Sequence, residues 1–132
     1  MNYFIRLNPE HYIEKMKDYL LLFRGGDARR AEAQIDAVQW QEHRMKWKSW
    51  MESLGKDGKF VGGLPLAPDG SVINGTKKTV TDGPFTEGKE IVGGYLIIKA
   101  NDQAEAVNLS KDCPVLEHEG SVEVRELLSM TM

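Results

Sequence analysis

Two residues of this chain pair a proton-active side chain with a setting that could use it. Asp82 stands in the stretch Thr81-Asp82-Gly83-Pro84-Phe85-Thr86-Glu87-Gly88-Lys89-Glu90, between two β-rich runs at 76–80 and 92–99. A connector usually carries small polar residues, but this one carries an acid, an aromatic, and two further acids flanking a lysine. At the end of a strand the Asp82 carboxylate can accept backbone N–H groups of the following turn. Pro84 fixes its own φ and biases Gly83 away from the helical region, so the loop has one preferred shape. Such a loop is either a site or a structural corner, and Asp-Gly-Pro is ordinary turn chemistry.

The second residue is His43. At 100° per residue, Trp40, His43, Trp47, Trp50, Met51 and Leu54 fall in one arc of roughly 100° on a long helix expected over 29–54. An imidazole can act as acid, base or anchor at neutral pH. Asp82 and His43 are therefore the candidate catalytic pair. Trp40, Trp47 and Phe85 would be apolar walls of their pocket, and Lys89 a further ligand-binding residue. The pairing requires approach to about 3 Å or through one water. The plainer alternatives are a tryptophan core and a core histidine with a structural hydrogen bond. His11, His43 and His118 show no ligand-like spacing and the lone Cys113 helps none of them, so neither a metal nor a cofactor is expected. No nucleophile stands beside a base in sequence.

The frame that must position these residues is a single domain. The 132 residues are 41% hydrophobic and 28% charged, as in ordinary globular proteins. A net charge of −3, with basic residues interleaved among acids, recommends neither nucleic acid nor an anionic membrane as partner. One cysteine excludes an internal disulfide and fits a reducing cytoplasm, the expected location.

Residues 1–17 read as an N-terminal extension in which Asn8-Pro9-Glu10 is a helix start. Residues 18–24 and 93–99 carry apolar side chains on both faces, as interior strands do. Gly25-Gly26 ends the first of them. Gly55-Lys56-Asp57-Gly58 ends the long helix, whose far side holds Ile35, Val38 and Met45, positions a partner subunit could cover. A strand follows at 59–66, with Gly62-Gly63 marking a bulge or close approach. Asn74-Gly75 is a hairpin signal between 71–73 and 76–81. Asp102-Gln103-Ala104-Glu105 starts a helix to about residue 112, on which Ala106, Leu109 and Cys113 share a face. The final strand, 121–127, alternates Val122 and Val124 with Glu123 and Arg125, and 129–132 form a tail. Without the hairpin and the extension the order is strand–helix–strand–strand–helix–strand, the split βαβ pattern of the ferredoxin-like fold. Two helices cover one sheet face, so a homodimer formed through the other is expected.

Six segments, YLLLFRGG at 19–26, WKSWMESL at 47–54, GKFVGGLPL at 58–66, VTDGPFTEGKE at 80–90, GGYLIIK at 93–99 and GSVEVRE at 120–126, make the chain resemble the YCII-related proteins. More narrowly it resembles their subgroup named for the Asp-Gly-Pro-Phe motif. The likeness runs from about residue 16 to 128, so the family domain is placed at 18–128. It implies an α+β, ferredoxin-like domain with an inserted hairpin, pairing as a dimeric α+β barrel with a pocket between sheet and helices. It supplies no settled reaction. Shorter relatives carry a His–Asp pair suggested as an active site, whose histidine falls near Trp47; His43 is one turn earlier on that face. Some subgroup members are encoded beside extracytoplasmic-function sigma factors, which implies the alternative of a regulatory or interaction module. The expected function is thus binding of, or acid–base action on, an unidentified small molecule.

Overall fold

In the computed structural model, residues 16–26, 36–83 and 90–130 are described. The expected helix after Asn8 and the residues Phe85 and Lys89 lie outside them. The first strand, β1 (Lys17–Arg24), alternates as a covered strand must: Tyr19, Leu21 and Phe23 are buried, while Leu20 and Leu22 are half-buried on the opposite face. It pairs antiparallel with β5 (Val92–Ala100) on one side and β6 (Ser121–Glu126) on the other. β2 (Phe60–Pro65) adds to the far side of β5, giving the order β2-β5-β1-β6. This order makes β1 and β5 the interior strands, as their apolar residues on both faces require.

Helix α1 (Ala37–Lys56) follows β1, and α2 (Gln103–Ser110) follows β5. The apolar faces of both meet one face of the sheet. Trp50 and Leu54 of α1 and Ala106 of α2 share a core with Tyr19, Leu21, Phe23, Leu96 and Ile98. Trp50 Nε1 donates to the Leu109 carbonyl at 3.1 Å, tying the two helices together. Val38 and Met45, on the far side of α1, are 66% and 56% exposed. Cys113 is buried, as its helix face implied. The result is an α+β domain of ferredoxin-like topology. Among the described residues no helix is long and apolar enough to cross a membrane.

Four details depart from the sequence reading. The helix begins at Ala37 rather than near residue 29, because Asp36 caps it. The Asp36 carboxylate accepts the Gln39 N–H at 2.8 Å, while Gln39 Oε1 takes the Asp36 N–H, a reciprocal box that stops the helix on that side. The inserted hairpin, β3 (Gly70–Asn74) and β4 (Thr79–Gly83), turns through four residues, not two, since Asn74 pairs with Thr79. Asp82 consequently lies within β4 rather than after it. A short 3-10 helix (Pro114–His118), not anticipated, occupies the crossing from α2 to β6.

The glycine pair in β2 behaves as expected. The register shifts between Phe60 and Gly62, and Gly63 has φ +156°. A Cβ at Gly63 would collide with the backbone of Tyr95 and Leu96, so only glycine lets β2 lie this close to β5.

Candidate functional site

Among the described residues, the 3-10 helix and one face of α1 bring together two histidines, a glutamate and a lysine. On α1, His43, Lys46 and Trp47 are spaced i, i+3 and i+4, so they emerge side by side, with Trp40 one turn before His43. The 3-10 helix is opened by Pro114, whose missing N–H costs nothing at a helix start. Its next residue, Val115, is 1% exposed and seated against the glycines that flank it in space. Gly26, at φ +49°, approaches so closely that a Cβ would lie 2.7 Å from Val115 Cγ2, and one at Gly120 would meet the same methyl. The turn is thereby docked between the end of β1 and the start of β6. Glu117 and His118 project from it toward α1.

His43 is only 3% exposed. Its Nε2 accepts the Trp47 indole N–H at 3.2 Å. Indole nitrogen can only donate, so Nε2 must carry a lone pair, and the proton of the neutral imidazole sits on Nδ1. That nitrogen faces Glu117, whose Oε1 is 3.7 Å away. Trp40 stacks on the imidazole at 5.2 Å and 27°, and the His118 ring stands edge-on at 4.5 Å. Trp47 is itself braced edge-on by Phe23 at 5.1 Å and by Trp50 at 5.7 Å. Lys46 Nζ reaches both Glu117 oxygens at 3.2 Å, an exposed pair that contributes direction more than stability. A buried imidazole of defined tautomer, facing a carboxylate between aromatic surfaces, can hold or pass a proton at one known atom.

The structure distributes the expected site residues unevenly. His43, Trp40 and Trp47 do come together. Asp82, expected at a strand end and within reach of His43, lies in the separate two-stranded sheet, exposed and opposite Ser71. Among the described residues the carboxylate that approaches His43 is Glu117. Sequence spacing offered no metal set, yet the fold gathers one: ligand atoms of His43, Glu117 and His118 all lie within 4.8 Å of one another. The missed residues, Lys46, Glu117 and His118, carried one signal, an adjacent Glu-His pair directly after a proline-broken helix. Nothing local pairs it with α1.

A four-stranded antiparallel sheet in this order, with two helices on one face, defines a ferredoxin-like α+β domain, here with a histidine centre where α1 meets the 3-10 turn. The chain belongs to the YCII-related family: the YCII-related domain matches residues 28–131, which include every described residue of the centre. No match was found among curated proteins.

Proposed function

We propose that this YCII-related protein binds a small polar molecule beside His43 and exchanges a proton with it, with Glu117 as the imidazole's carboxylate partner. The observation that carries the reading is the buried His43 ring, held at Nε2 by Trp47 and open to a carboxylate at Nδ1. In this tautomer Nδ1 is the donor, and Nε2 is engaged unless Trp47 moves. A ligand group in reach of Nδ1 would therefore be held by a hydrogen bond from His43, and the Glu117 carboxylate beside it could take a proton from that ligand and give the same proton back. Trp40 and Trp47 supply flat apolar surface for the body of that molecule, while its polar group meets His43. Asp82, implied by the Asp-Gly-Pro-Phe motif, is the rival carboxylate, and comparing Asp82→Asn with Glu117→Gln decides between them.

The test is a thermal-shift screen of small metabolites. A compound specific to the native state raises the melting temperature. The expected result is at least one compound that stabilises the natural protein but neither His43→Gln nor Glu117→Gln. If no compound stabilises it, or if the variants respond equally, the site reading fails and a regulatory module becomes the better account.

The homodimer belongs to the same proposal. On the sheet face turned from the core, Leu64, Tyr95 and Leu22 stand in one cross-strand row, and Ile97 and Leu20 in the next. Leu64 is 66% exposed, and the other four are half-buried. A second copy would bury these rows. Light scattering should give twice the chain mass, and Leu22→Arg should return it to the monomer mass; a monomer in the natural protein removes the proposal.

A further inference from the structure

We propose that His43, Glu117 and His118 form a binding site for a divalent transition-metal ion of the zinc class. Their ligand atoms lie within 4.8 Å of one another, and His43 Nδ1 is 3.7 Å from Glu117 Oε1. Tetrahedral ligation at zinc–ligand lengths of about 2.0–2.2 Å sets neighbouring donor atoms about 3.4 Å apart. The His43–Glu117 pair is a few tenths of an ångström from that spacing, and rotation of the partly exposed Glu117 and His118 side chains would bring in donors as far apart as 4.8 Å. His43 is fixed by a 20-residue helix, and Glu117 and His118 by a turn seated on Val115. Two imidazoles and one carboxylate are a donor set for zinc, cobalt or nickel, whereas calcium and magnesium require mostly oxygen. Three protein ligands would leave one position for water or a ligand.

Proton bookkeeping adds a specific consequence. A metal at Nδ1 displaces the proton now on that nitrogen. In a neutral ring the proton then resides on Nε2, which changes from acceptor to donor. The Trp47 N–H can no longer donate there, so its indole must turn. Lys46 shares both Glu117 oxygens and opposes a second cation at the same carboxylate. Metal entry should therefore alter Trp47 fluorescence, and removing the Lys46 charge should favour it.

This inference uses the same centre as the proposed ligand site but does not depend on proton transfer there. The full chain, stripped with chelator and desalted, is titrated with Co2+ and then Zn2+, followed by visible absorption, calorimetry and tryptophan fluorescence. One Co2+ per chain is expected, with tetrahedral absorption bands that Zn2+ abolishes and a fluorescence change that Trp47→Phe removes. Glu117→Gln and His118→Gln should each weaken binding at least about 10-fold, no less than the loss of an outer-shell metal partner causes. Both replace partly exposed side chains and should keep the natural melting temperature. Lys46→Gln should bind several-fold more tightly. Absence of the cobalt bands and of binding heat overturns the proposal, as does binding that both ligand variants leave unchanged. Ligand stabilisation that needs Glu117 without any metal binding removes the metal and leaves the proposed function. Metal binding without any stabilising compound does the reverse.

Discussion

The His43 centre and the β3–β4 hairpin each present a carboxylate, but they differ in what holds it. Around His43, Trp47 and the turn that bears Glu117 are braced from outside their own elements. Trp47 rests on Phe23 and Trp50, and the turn bearing Glu117 is docked through Val115. Among the described residues, the hairpin around Asp82 is paired only within its own two-stranded sheet. All its strand residues except Gly83 are exposed, and the cross-strand pair Ile73 and Val80 remains 69% and 62% exposed. An isolated two-stranded hairpin is marginal in water. Packing sets the distances between polar groups at the helix–turn junction, whereas the hairpin that bears the more conspicuous motif relies on strand pairing.

The largest effect that could break this contrast is on stability. Trp50→Ala removes a residue in contact with Phe23, Trp47 and the Leu109 carbonyl, and should cost about 3–5 kcal/mol in urea unfolding. Ile73→Ala in the hairpin should stay within about 0.5 kcal/mol. Equal losses would mean that the hairpin is packed as firmly as the core. Next comes Gly26→Ala. A left-handed backbone costs a residue with a Cβ about 1–2 kcal/mol, and the overlap with Val115 adds to it. The same substitution should also shift the turn and lower the affinity of any ligand that uses Glu117, which a thermal-shift titration reads.

Smaller effects sharpen the contrast. Glu117→Gln and Asp82→Asn should each change unfolding free energy by less than about 0.5 kcal/mol, since both carboxylates are exposed. Only Glu117→Gln should abolish ligand stabilisation; the opposite pattern would transfer the chemistry to the hairpin. The smallest effect tests the frame alone. The Asn101 backbone N–H, and then Lys59, hold the Glu105 carboxyl below its ordinary value of 4.5. A depressed carboxylate stabilises the fold above that value, and the contribution is lost as pH falls through its folded pKa. Glu105→Gln should thus be slightly less stable than the natural protein at neutral pH and equal to it in strong acid. Ligand binding at His43 should not change.

Much of the frame was legible in the sequence because its signals are local. Apolar residues on both faces mark β1 and β5, alternation marks β6, Asp102 marks α2, and the arc from Trp40 to Leu54 names the inner face of α1. Apolar spacing alone extends α1 back past Asp36, whereas the box between Asp36 and Gln39 carries the stop. Asn74-Gly75 announced the hairpin but not its length. Lys78 takes a left-handed backbone at φ 56° that its side chain does not advertise. The Glu117–His43 approach was illegible for a different reason. It joins segments far apart in the chain, and it exists only because β1 ends beside the entry to β6.

Val115 gives that junction an unexpected handle. Its side chain contains no polar atom, yet it acts as a spacer, setting how far the turn stands from the sheet and so how near its donors come to His43. Close packing transmits a change of one methyl group across such a contact. Trimming the spacer should let the turn settle and widen the centre, whereas the two glycines leave no clearance for a thicker one. The spacing of the proposed site can thus be adjusted at a position outside its polar groups.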